Sequence, residues 1–212
     1  MITIEPFADR AVAAAANAKI DSQKIFVLGG PVAGTRPFTD LVKNNGDKVK
    51  AHKIGTHDVA VIPYSSGTTG LPKGVMLTHN NLIANVIQVQ SMTSDSVGPE
   101  DSFLGVLPFF HIYGLVVTLM VGVVIGCTVC VLPKFELEVF LKTIQEQKLT
   151  TLHLVPPIIL ALAKHPVVAK YDTSSIRIIM SGAAPLGPEI SKALVARLPN
   201  VRLRQGYGMT EL

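Results

Sequence analysis

The chain has 212 residues, 48% hydrophobic and 16% charged, a balance that supplies a sizeable packed core in one or two subdomains and excludes an intrinsically disordered chain. Lys and Arg number 19 against 15 Asp and Glu, and the net charge of +4 is spread without any block of like charge, so nucleic acid is not an expected partner.

Residues 5–19 read as a helix with Pro6 near its start, and residues 24–28 (KIFVL), followed by Gly29 and Gly30, as a strand ending in a turn. Glu5 and Asp9 interrupt the basic-then-apolar order that a secretory signal needs, which points to a cytosolic-side protein. Residues 58–64 form the next strand, 65–74 a loop, 75–77 a short strand, and 80–92 a helix entered through Thr78 or His79. A strand over 103–107 leads to an apolar helix beginning near Tyr113 and a strand over 127–132. Helices over 137–148, 157–164 and 188–198 then alternate with strands over 151–155, 176–180 and 201–205. Strands separated by helices of this length imply an α/β fold, a mainly parallel sheet flanked by helices.

Residues 102–133 contain no Asp, Glu, Lys or Arg, a run long enough to be weighed as a transmembrane helix. Gly114, Gly122 and Gly126 punctuate it, and its β-branched, alternating end (CTVCVLP) reads as a strand. The run is therefore expected to divide into a buried helix and a buried strand, with no membrane span. Cys127 and Cys130 lie in this run and are read as buried structural thiols, since no second metal-spaced pair accompanies them.

The strand VAVIPY leads directly into SSGTTGLPKG at 65–74. The hydroxyls of Ser65, Ser66, Thr68 and Thr69, the backbone freed by Gly67 and Gly70, and the mobile charge of Lys73 suit the wrapping of phosphate oxygens. It is not a Walker loop, because Pro72 precedes Lys73 and Gly74 follows it where Ser or Thr would ligate magnesium. A turn-rich surface hairpin is the competing reading. FFHIYGL at 109–115 sets His111 in an apolar segment, where a satisfied core histidine competes with a pocket role. SGAAPLG at 181–187 has side chains small enough for a flat ring to lie on its backbone, although a plain strand-to-helix connection would look the same. QGYGMTE at 205–211 ends on a carboxylate apt for a phosphate-bound hard cation.

YSSGTTGLPKGVMLTH resembles the signature of the adenylate-forming superfamily, which includes acyl-CoA synthetases, coumarate:CoA ligases, firefly luciferases and nonribosomal adenylation domains. The three later segments agree with that family in type and order, and HIYG, PKFE and SGAAPLG look nearest to coumarate:CoA ligases and luciferase-like acyl-CoA ligases. The similarity runs from Gly29 and Gly30 to the end; residues before about Ile20 carry no specific signal.

The resemblance implies ATP-dependent activation of a carboxylic acid, fatty or aromatic, as its acyl adenylate, followed by transfer to a thiol. ATP, magnesium (Mg2+) and coenzyme A are the implied cofactors. It assigns the catalytic roles to Lys73, Thr210 and Glu211, with Thr210 on the α-phosphate and Glu211 on the metal. Ser65, Ser66, Gly67, Thr68, Thr69, Gly70 and Lys73 would hold the β- and γ-phosphates. The adenine would lie between Gly182, Ala183, Ala184 and Pro185 on one face and Tyr207 on the other, alongside Gln205, Gly206, Gly208 and Met209. His111 and Tyr113 would line the acid pocket.

It also reads residues 1–212 as part of a large N-terminal AMP-binding domain that lacks the family's C-terminal lid, broken off after a Gly-rich turn. Such a chain is expected to bind ATP weakly, if at all, and to complete no turnover by itself. A luciferase-like oxygenase and a non-catalytic nucleotide-binding pseudoenzyme share the motifs, and the intact Lys73, Thr210 and Glu211 weigh against the second. The expected location is cytoplasmic or peroxisomal.

Overall fold

The computed structural model describes residues 1–30, 32–43, 46–47, 49–65 and 70–212, and the chain divides into two compact units, Met1–Lys53 and Ile54–Leu212. The first unit runs through β1 (Ile2–Ile4), a 3-10 turn at Glu5–Phe7, α1 (Ala8–Asn17), β2 (Phe26–Leu28), β3 (Arg36–Pro37) and α2 (Thr39–Val42). Its strands form a parallel sheet in the order β1-β2-β3. Pro6 opens the 3-10 turn that feeds α1, a position where its missing N–H costs no hydrogen bond.

The second unit begins with two short antiparallel pairings. β4 (Val59–Val61) pairs with β7 (Leu77–Thr78), and between them β5 (Tyr64–Ser65) pairs with β6 (Lys73–Gly74). The strand expected over 58–64 is thus split, and Pro63, which has no N–H to donate, lies at the break. α3 (His79–Thr93) follows, entered as expected through Thr78: its hydroxyl accepts from the Asn81 N–H at 3.2 Å while the Asn81 carboxamide accepts from the Thr78 N–H at 3.0 Å.

The remaining elements build the main sheet. β8 (Ser102–Gly105) leads into a π-helix at Tyr113–Met120, α4 (Val121–Ile125) and β9 (Thr128–Val131). Then come α5 (Leu137–Gln147), β10 (Thr151–Leu154), α6 (Pro156–Lys164), β11 (Ile178–Ser181), α7 (Pro188–Arg197) and β12 (Arg202–Gln205). All five strands are parallel, in the order β12-β11-β10-β8-β9. The chain therefore steps one way from β8 to β9, crosses back, and continues the other way through β10, β11 and β12. Right-handed crossovers in opposite directions put their helices on opposite faces. α3, the π-helix and α4 cover one face around Phe103 and Val116, while α5, α6 and α7 cover the other around Leu104, Leu152 and Ile179.

The uncharged run divides as expected into helix and strand, and among the described residues no helix is long and apolar enough to cross a membrane. The cysteines depart from expectation. Both are half-buried, Cys127 just before β9 toward one core and Cys130 within β9 toward the other, because β9 is an edge strand with a neighbour on one side alone. Partial burial still pushes the Cys127 thiol up to about 11, so it is not a thiolate near neutral pH.

Candidate functional site

The reversal of strand order between β8 and β10 leaves a crevice at the carboxyl ends of the strands, the place where open α/β sheets accept ligands. A cleft of about 860 Å3 lies there. Segments that follow β8, β11 and β12 converge on it, bringing His111 and Tyr113, Gly182 and Ala183, and residues 206–211 together.

Ser65 and Lys73 reach the same cleft from the β5-β6 pairing, where they stand directly opposite each other. The antiparallel ladder takes Ser65, Lys73 and Gly74 out of the loop expected over 65–74 and into paired strands. Ser66, Gly67, Thr68 and Thr69 lie outside the described residues, and Gly70 follows them at φ 91°, a conformation that suits glycine. Gly70, Ala184 and Pro185 are not among the residues that line the cleft, whereas every other described residue of the expected site is.

Gly182 is required by a close approach. A β-carbon there would stand 2.7 Å from Cε1 of Tyr113, so the tyrosine ring packs on the bare backbone after β11. The Tyr113 hydroxyl donates to the Met180 carbonyl at 3.0 Å, and burial raises its pKa well above the usual phenol range, which keeps it a neutral donor. Ala183 next to it has φ 67°, a left-handed conformation that costs an L-residue about 1 kcal/mol and concentrates strain in the cleft wall.

Gln205 lines the cleft, but its amide oxygen accepts the Leu186 N–H at 3.1 Å and so fastens the loop after β11 to the end of β12. Tyr207 is 85% exposed, its ring free to stack, while Thr210 is buried and Glu211 exposed. His111 Nδ1 accepts the Tyr113 N–H at 3.2 Å, which leaves Nε2 as the donor of the neutral ring. Among the described residues no cluster of three or more His, Cys, Asp or Glu forms. A lone carboxylate at an open cleft is nevertheless enough for magnesium, which keeps several waters and takes the rest of its shell from substrate phosphates. Glu211 fits that donor set.

Sequence reasoning missed one wall. Asn85, Val89 and Met92 from α3, with Val116 and Val117 from the π-helix, line the cleft, and no contiguous motif marks them. The π-helix is tied to the sheet by Thr118, fully buried, whose hydroxyl meets His153 Nδ1 at 3.2 Å. His153 lies edge-on to Phe103 at 4.9 Å, and burial lowers its pKa to about 4.

The architecture is that of an α/β enzyme domain with its ligand cleft at the strand ends. Residues 2–212 match the AMP-binding enzyme family, and the chain belongs to it. It is 48% identical over 176 residues to 4-coumarate–CoA ligase 1 of Petroselinum crispum, covering 82% of this chain and 32% of the relative. The chain thus spans about a third of the length of the curated relatives it matches. Among solved structures, ATP-bound MatB from Rhodopseudomonas palustris superposes with a TM-score of 0.83 at 29% identity, covering 99% of this chain and 40% of that one. The anthranilate CoA ligase AuaEII in complex with anthranoyl-AMP gives 0.84 at 25% identity, with 99% and 40% covered.

Proposed function

We propose that this chain forms the ATP and acid cleft of an acid:CoA ligase, as part of a large AMP-binding domain. The full-length protein would join a carboxylic acid to ATP as acyl adenylate, expel pyrophosphate, and pass the acyl group to the thiol of coenzyme A. One observation carries this reading: Ser65 and Lys73 from the hairpin open into the same cleft as Thr210 and Glu211 after β12. The likeness to named CoA ligases supports it.

In this reading Ser65, Ser66, Gly67, Thr68, Thr69 and Gly70 wrap the β- and γ-phosphates, and the ammonium of Lys73 offsets their charge. The Thr210 hydroxyl donates to the α-phosphate, where charge gathers as the carboxylate attacks. The adenine lies between the loop Gly182–Pro185 and the ring of Tyr207, among Gln205, Gly206, Gly208 and Met209, while His111 and Tyr113 wall the acid. Magnesium held by Glu211 would supply charge neutralisation at the phosphate oxygens. Catalysis is thus mainly positioning and electrostatics.

Pyrophosphate exchange by the full-length protein against a panel of fatty and aromatic acids tests the proposal. Lys73→Ala is expected to lower acid-dependent exchange about a hundredfold, the scale set by losing one preorganised charge partner. Exchange at the parent rate in Lys73→Ala, or no acid-dependent exchange by the parent, overturns it. The 212-residue chain alone, about a third of its relatives' length, is expected to form no acyl-CoA.

A further inference from the structure

We propose that Asn85 is a specificity-determining residue of the cleft, selecting a monocarboxylic acid whose apolar body carries a neutral hydroxyl or carbonyl at its distal end. This inference rests on the reading of the cleft as an acid site.

The wall made by α3 and the π-helix is apolar: Val89, Met92, Val116 and Val117 line it. Polar groups beside them are already engaged. The Thr93 hydroxyl donates to the carbonyls of Val89 at 2.9 Å and Gln90 at 3.2 Å, and the Tyr113 hydroxyl donates to Met180. Asn85 differs. It is half-buried and lines the cleft, and among the described residues no hydrogen bond engages its carboxamide, which offers two donors and an acceptor. The backbone that presents it is fixed, because the Thr78–Asn81 capping box holds the start of α3 and Leu82 and Val86 are buried on either side of it.

A ligand that covers this wall withdraws the amide from water. An acid with a matching polar group repays that loss, whereas one that is apolar throughout leaves the amide unpaired, and such a site discriminates strongly. The charge pattern narrows the class further. Lys73 is the cleft's one lysine or arginine among the described residues, and it stands on the hairpin beside Ser65, not on the α3 wall. A second carboxylate at the distal end of the substrate would find no cation there, which disfavours dicarboxylic acids.

The test is calorimetric titration of the full-length protein with matched acids, cinnamate against 4-hydroxycinnamate and octanoate against 8-hydroxyoctanoate, with ATP titrated in parallel. The hydroxylated member of at least one pair is expected to bind about tenfold tighter, the scale of one hydrogen bond to a neutral group. Asn85→Leu is expected to bring that ratio to about one. Asn85→Ala, the better helix former, serves as the second variant if Asn85→Leu does not fold. A preference that survives both substitutions, a parent ratio of one or less, or no acid binding overturns the assignment of Asn85. If ATP binds normally in those cases the ligase reading stands, and if neither ATP nor any acid binds, both fall.

Discussion

Asp101 takes its carboxyl group into the interior, where three donors hold it. It is 2% exposed and accepts from the Gly98 N–H at 2.9 Å, the Thr150 hydroxyl at 2.5 Å and an Arg177 N–H at 3.1 Å. Arg177 also donates to the Ser96 carbonyl at 2.7 Å. Because Asp101, Thr150 and Arg177 each immediately precede a strand of the main sheet or its first residue, the carboxylate ties the amino ends of β8, β10 and β11 together. Removing it takes the shared acceptor away from all three donors. Asp101→Ala is therefore expected to cost roughly 2–4 kcal/mol, and Arg177→Leu less, because the Arg177 side chain is half exposed and its lost pairing is solvent-screened. Urea unfolding of both variants would show the order, and equal or reversed losses would mean that the network does not pin the sheet.

Some of these residue roles were readable and others were not, for a physical reason. Thr78 was legible as a cap because capping is a local bond between near neighbours in sequence. Asp101 and Asn85 were invisible, since what makes each matter is the burial and partners supplied by segments far along the chain.

At the scale of elements, the period-2 and helical patterns revealed the alternation of strands and helices in the second unit, with shifts of a residue or two at the ends. The three-residue β1 and two-residue β3 escaped, being too short to show a period. The π-helix escaped too: its composition is that of any apolar helix, and only its tertiary setting, with Thr118 facing His153, distinguishes it. The loop after β11 was legible as small residues, but not the element that uses the space. That space belongs to Tyr113, which projects from the π-helix onto Gly182. Gly182→Ala is accordingly expected to displace the ring, break its bond to the Met180 carbonyl and cost about 1–3 kcal/mol as an overpacked contact. In a Tyr113→Leu background, which removes the far end of the ring, the same substitution should cost at least about 1 kcal/mol less. Additive losses in thermal unfolding would show that the two residues do not share that contact.

At the scale of the whole molecule, contiguous motifs pointed to residues that the strand order then gathered, since loops at the carboxyl ends of parallel strands meet whatever their distance in sequence. The strand order itself, and with it the α3 wall, is a product of crossover direction and could not be read from local pattern. The same topology buries an imidazole beneath the sheet, and this makes global stability depend on pH. His153 titrates near pH 4 in the folded chain, against about 6.5 when exposed, because burial penalises the imidazolium. Above pH 6.5 both states are neutral at this site and stability is complete. As pH falls from 6.5 toward 4, the unfolded chain binds a proton that the folded chain refuses, so stability is lost, by at most about 3 kcal/mol. His153→Leu has no proton to bind; it leaves the Thr118 hydroxyl without its partner, a cost that does not vary with pH. Urea midpoints measured between pH 7.5 and 4.5 should therefore fall more steeply for the parent than for the variant, with the two curves converging at low pH. Parallel curves would mean that His153 is charged in the folded protein or reached by water, and that the Thr118 contact is not a bond to a neutral ring.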